Sequence, residues 1–153
     1  MQQELSQHLL NTLPIDAIGT FTFPQRCSQE QRDTAWNEYV DKLEATAKHS
    51  IGWIRADETD AEGNRHIHAA FASFQPLSKH QLMDCWAATL DSTRSDLADC
   101  SSYDSSSFGT AGLQYIVKDD DLTLSSALHL YSTLTDPSTL PAYERRQFTR
   151  VRK

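Results

Sequence analysis

The feature that most constrains this chain is a short polar stretch, Thr59-Asp60-Ala61-Glu62-Gly63-Asn64, set between two runs suited to extended structure, Ile51 to Glu58 and Arg65 to Phe74. A turn this short brings the two flanking segments against each other, so they pair as an antiparallel hairpin. A third run, Ile15 to Phe23, holds Ile18, Thr20, Phe21, Thr22 and Phe23 and ends at Pro24, which suits a further strand. The period then changes. Ser28 with Gln31 resembles a capping box opening a helix over residues 29–48, where Trp36, Tyr39, Val40 and Leu43 recur at helical spacing. Leu77 to Leu90 reads as a second amphipathic helix, with Ser78 as N-cap and Leu82, Trp86 and Leu90 as its apolar stripe.

The remaining segments are read more coarsely. Residues 2–12 suit a short helix with Leu5 and Leu9 on one face, stopped by Pro14, and Asp99 to Tyr103 suits a short fourth strand. Thr110 to Lys118 reads as a helix turned inward at Leu113, Ile116 and Val117, and Leu122 to Leu134 suits either helix or strand. This order predicts an α+β fold, with a central antiparallel sheet of about five strands covered by helices on one side or both. A chain of 153 residues is the size of one domain. We expect residues 1–143 to form that domain, N-terminal helix included, followed by a basic tail over 144–153.

Hydrophobic residues at 39% and charged residues at 23% exclude a disordered chain. No run approaches the roughly 18 apolar residues of a membrane span, and the start lacks the basic-then-apolar pattern of a secretory signal, so a cytoplasmic protein with no membrane partner is expected. Cys27, Cys85 and Cys100 are widely spaced and lack a Cys-x-x-Cys pairing, which points to reduced thiols. The net charge of -7 weighs against general nucleic-acid binding. Its distribution is uneven, because Arg145, Arg146, Arg150, Arg152 and Lys153 face only Glu144 in the last ten residues. A basic end on an acidic body can track a DNA backbone, and a solvated tail without function has the same composition.

His66-Ile67-His68 carries the first chemistry. On a strand, residues two apart project from the same face, so both imidazoles can reach one metal ion while Ile67 points into the core. The bland reading of the same pair is a polar strand face. The hairpin supplies a carboxylate: a three-residue loop at Glu62-Gly63-Asn64 sets Glu58 opposite His68, and a four-residue loop starting at Ala61 sets Asp57 there instead. Glu58 is favoured as third ligand, with Asp57 as the alternative. Two imidazoles and a carboxylate leave positions for phosphate oxygens and water, which suits Mg²⁺ or Mn²⁺ better than a closed zinc site. Further along, Tyr115-Ile116-Val117-Lys118 sets a phenol and an ammonium on one helical face, a nucleophile with a cation to steady developing charge, or an ordinary amphipathic helix.

Three segments together resemble the motifs of the HUH endonucleases that initiate rolling-circle replication on plasmids and viruses. Gly19-Thr20-Phe21-Thr22-Phe23-Pro24 is similar to the first motif, His66-Ile67-His68-Ala69-Ala70-Phe71 to the metal motif, and Tyr115-Ile116-Val117-Lys118 to the nucleophile motif, in that order over about residues 15–118. The resemblance implies an HUH nuclease architecture, similar to RNA-recognition-motif folds, and a Mg²⁺- or Mn²⁺-dependent, single-strand-specific DNA endonuclease. It implies Tyr115 as the nucleophile that becomes joined to a 5′ phosphate, with Lys118 beside it, His66, His68 and Glu58 as metal ligands, and Arg65, Arg145, Arg146 and Arg150 as DNA contacts. It implies a single-stranded origin or nick site as partner, a helicase for unwinding, and a nuclear location if the element is a eukaryotic virus. The alternatives are a non-cleaving origin-binding module, a relaxase or transposase of related fold, and a metal-dependent phosphohydrolase with water as nucleophile.

Overall fold

The computed structural model describes residues 15–59, 65–73, 75–103, 116, 121–125 and 148–152. They form an α+β structure on one antiparallel sheet. Its strands are β1 (Ile15–Thr22), β2 (Gly52–Thr59), β3 (Arg65–Ala72), β4 (Ala98–Ser102), β5 (Asp121–Ser125) and β6 (Phe148–Arg152). Their order across the sheet is β4-β1-β3-β2-β5-β6. Helices α1 (Gln29–Ala47) and α2 (Lys79–Thr89) connect β1 to β2 and β3 to β4. About five strands were expected from the sequence, and six occur among the described residues. The additional one, β6, lies within the segment read above as a basic tail, where it pairs with β5 from Asp121–Arg152 to Ser125–Phe148. The helix expected over residues 2–12 lies outside the described residues, as does that over 110–118 apart from Ile116, which is helical and buried.

Both helices open on a capping box. In α1 the Ser28 hydroxyl accepts from Gln31 N at 3.1 Å and the Gln31 side chain accepts from Ser28 N at 2.8 Å; Ser78 and Gln81 repeat the arrangement in α2. These exchanges satisfy amide groups that the first helical turn leaves without partners. α1 buries Trp36, Tyr39, Val40 and Leu43, and α2 buries Leu82 and Trp86. Those side chains meet Phe21, Ile67, Ala69, Phe71 and Trp53 in one cluster, so both helices cover the same face of the sheet. Phe21 is its hub, with ring centroids at 5.3 Å from Trp36, 5.2 Å from Tyr39, 6.0 Å from Phe71 and 5.3 Å from Trp86. Such pairs add about 0.5–1.5 kcal/mol each beyond burial.

The packing is close enough to dictate a residue. A Cβ placed on Gly19 would lie 2.8 Å from Cys100 Sγ and 3.0 Å from the Phe21 ring. Tyr39 donates its hydroxyl to Leu82 O at 3.0 Å and Trp86 Nε1 donates to Thr22 O at 3.1 Å, so the polar tips of these aromatics are partnered inside the core. The three cysteines are free thiols, and burial pushes that of Cys100 up to about 12.

The hairpin register differs from both loop geometries considered above. Glu58 stands opposite His66, Asp57 opposite Ile67 and Ala56 opposite His68, because the strands end at Thr59 and Arg65 and the connection takes residues 60–64. Asp57 consequently lies with Ile67 on the helix-covered face. There it meets Arg32 Nε at 3.2 Å and Arg55 Nε at 2.6 Å, with Gln29 Nε2 at 3.3 Å. Arg55 also reaches Asp33 at 2.9 Å and sits over the Trp36 ring. Arg32, Arg55 and the Asp57 side chain are all buried. Burial alone would push the Asp57 carboxyl up, but hydrogen bonds and charge from Arg55, with further bonds from Gln29 and Arg32, outweigh it and hold the carboxyl below its usual value.

Two outcomes follow from this network. Asp57→Ala leaves buried guanidinium charge uncompensated and should cost about 3–5 kcal/mol in urea unfolding near neutral pH. The folded carboxyl titrates below the unfolded value of about 3.9, so its contribution is complete above that pH and is lost as the pH falls through the lower folded value. The stability gap between the wild type and Asp57→Ala should therefore narrow on acidification below about pH 4; a gap that stays constant there contradicts an ionised Asp57.

Candidate metal centre

Alternation along β3 sends Ile67 into the core and leaves His66 and His68 on the face opposite the helices. The register then brings β1 and β2 to them, with Thr22 and Glu58 flanking His66, and Thr20 and Ala56 flanking His68. Glu58 Oε2 lies 2.7 Å from His68 Nε2 and 3.7 Å from His66 Nε2. The two imidazole rings stand almost perpendicular, 85° apart, with centroids separated by 4.9 Å. One donor atom from each of Glu58, His66 and His68 falls within 4.8 Å of the others, a grouping that can hold a metal ion.

The distances indicate how such an ion would be received. Ligand atoms about 2.1 Å from a cation stand roughly 3 Å apart at right angles and farther apart at tetrahedral angles. The 3.7 Å between Glu58 and His66 is a few tenths of an ångström wider than the tetrahedral spacing of about 3.4 Å and closes by a small side-chain movement. The separation from His68, 2.7 Å, needs to open by a few tenths of an ångström, a small movement for a Glu side chain near the end of a strand. His68 is the more enclosed imidazole, at 8% exposure, and Thr20 Oγ1 lies 3.1 Å from its Nδ1.

Of the three residues, His68 also lines a cavity of about 420 Å³, together with Ile18, Gly19, Thr20, Asp99, Ser101 and Ile116. It follows the cross-strand row Asp99–Thr20–His68 and thus spans β4, β1 and β3. Thr20, Asp99 and Ser101 were not singled out as site residues from the sequence. The pairing of β1 with β3 brings Thr20 to His68, and that of β4 with β1 adds Asp99 and Ser101.

The other expected site residues are distributed as follows. Asp57 is directed away from the histidines and engaged by Arg32 and Arg55. Arg65 is exposed at the start of β3, opposite Thr59. Arg150 falls in β6 opposite Thr123, and Arg145, Arg146, Tyr115 and Lys118 lie outside the described residues. Of the five tyrosines of the chain, Tyr39 and Tyr103 are described and both are buried. Burial also holds the Tyr39 phenol well above its ordinary pKa, which opposes phenolate formation.

Compared with protein-family models, curated proteins and solved structures, the chain matches none. Among the described residues no helix is long and apolar enough to cross a membrane.

Removing ligands tests the grouping directly. Outer-shell changes around metal-bound histidine typically cost 10–100-fold in affinity, and loss of a ligand should exceed that. His66→Ala, His68→Ala and Glu58→Ala should each weaken Mn²⁺ binding by more than about a hundredfold in calorimetric titration. Retention of wild-type affinity by any one of them removes that residue from the centre.

Proposed function

We propose that this protein is a metal-dependent, single-strand-specific DNA endonuclease of the HUH type, which nicks and rejoins DNA through a covalent link to Tyr115. The observation that carries the reading is the convergence of Glu58, His66 and His68 on the face of the sheet opposite α1 and α2, where His68 also lines a cavity. It is supported by the order of the three sequence motifs. It is supported also by Ile116, which is next to Tyr115 in the sequence and lines the same cavity as His68.

In this reading His66, His68 and Glu58 hold Mg²⁺ or Mn²⁺, which supplies Lewis-acid polarisation of a phosphodiester. Tyr115 attacks the phosphorus and gives its phenolic proton to solvent, and the P–O3′ bond breaks so that the 3′ oxygen takes a proton from solvent and leaves as a hydroxyl while the 5′ phosphate stays on the enzyme. Lys118 steadies the charge that develops during the transfer. A phosphotyrosyl link conserves the energy of the broken ester, so the same site can rejoin the strand. The 3′-hydroxyl is a primer, which fits a role in starting rolling-circle replication of a plasmid or virus, with a helicase to open the duplex. Arg65, Arg145, Arg146 and Arg150 are the proposed DNA contacts, cationic side chains on a chain that is acidic as a whole.

Incubation with single-stranded, origin-like oligonucleotides and Mn²⁺ should give a protein–DNA adduct that survives denaturant, with the nucleotide on Tyr115 in tandem mass spectrometry. Tyr115→Phe should abolish the adduct and strand transfer. Cleavage that persists in Tyr115→Phe identifies a hydrolase with water as nucleophile, and binding without any cleavage identifies an origin-binding module.

A further inference from the structure

The hydrogen bond between β1 and His68 sets a condition on the metal centre. Thr20 Oγ1 lies 3.1 Å from Nδ1, while the other ring nitrogen, Nε2, stands 2.7 Å from Glu58 Oε2. The imidazole is thus hydrogen-bonded at Nδ1 and faces a carboxylate at Nε2, with the two side chains coming from two strands other than its own. A nitrogen that binds a cation must present its lone pair, which places the ring proton on the other nitrogen and requires an acceptor there.

A threonine hydroxyl suits this position for a reason that a carbonyl or carboxylate does not share. Those groups only accept, whereas a hydroxyl both donates and accepts. When the proton is on Nε2, facing the Glu58 carboxylate, Nδ1 carries the lone pair and the hydroxyl can donate to it. When Nε2 turns its lone pair to a cation, Nδ1 carries the proton and the hydroxyl accepts. The bond can persist in both situations, with no movement beyond rotation of one O–H.

Thr20 is also held firmly. It pairs with His68 on one side and with Asp99 of β4 on the other, and it is β-branched, so its χ1 is stiff. Its neighbour Phe21 anchors in the aromatic core.

We propose that Thr20 is a positioning residue of the metal centre, whose hydroxyl holds the His68 ring with Nε2 facing Glu58 and the ion whether or not the ion is bound. This rests on the assignment of Glu58, His66 and His68 as ligands. Thr20→Val keeps the side-chain shape and strand preference and removes the hydroxyl; Thr20→Ser restores it. Thr20→Val should weaken Mn²⁺ binding in calorimetric titration by about 10–100-fold, with Thr20→Ser within a few-fold of the wild type. Thermal unfolding of the metal-free proteins shows that each variant is folded.

In the metal-free, ¹⁵N-histidine-labelled protein, the Nδ1 resonance of His68 should shift in Thr20→Val and return towards its original position in Thr20→Ser. A folded Thr20→Val with wild-type Mn²⁺ affinity, or with an unmoved Nδ1 resonance, overturns the positioning role. A wild-type protein that takes up no Mn²⁺ overturns the ligand assignment itself. Should Thr20→Val not fold, wild-type behaviour of folded Thr20→Ala in both measurements overturns the proposal equally.

Discussion

Strand β2 carries charge on both of its faces, and the structure depends on keeping the two apart. Arg55 and Asp57 point towards α1 and join Arg32 and the partly exposed Asp33 in a largely buried network. Glu58 points the other way, to the imidazoles. Because side chains alternate, a slip of one residue would exchange the faces and drive the Glu58 carboxylate under the helix. An uncompensated buried charge costs several kcal/mol, a large share of the 5–15 kcal/mol by which a domain of this size is stable. The ion pairs of Asp57 therefore act as a register lock, and the location of the candidate centre is decided on the opposite side of the sheet.

The same two-sidedness governs β1. Phe21 sits among Trp36, Tyr39, Phe71 and Trp86, and this fixes which residues of the strand turn inward. Thr20 is thereby committed to the opposite face, next to His68. The helices contribute nothing directly to the row Asp99–Thr20–His68, yet their aromatic side chains hold the strands that display it.

Local signals in the sequence correspond closely to local structure. The polar turn after Thr59 marks the hairpin, and Ser28 and Ser78 mark the starts of the two helices within a residue. The alternation around His66-Ile67-His68 gives the faces of β3 correctly. What depended on loop length was not legible: a connection over residues 60–64 moves the register from either pairing considered, and whether Glu58 or Asp57 meets the histidines turns on that register. Thr20 was hidden for a different reason, since its contact with His68 spans 48 residues and no periodicity reports a pairing between distant strands. Strand β6 was obscured by its own composition, because a run rich in arginine reads as solvated chain until β5 is available to pair with it.

The position of β1 in the sheet also has a kinetic side. It precedes the other described strands in the chain but is flanked by β3 and β4, whose residues follow it by roughly fifty and eighty positions. The β2–β3 hairpin can close on its own within microseconds, whereas β1 must wait for partners across two long loop closures. During synthesis on the ribosome, His66, His68 and Glu58 can therefore assemble well before Thr20 is fastened between its neighbours. The cavity that His68 lines needs β4 as its far wall, and β4 follows the hairpin in the chain, so any early encounter with a cation would meet only half of the finished site.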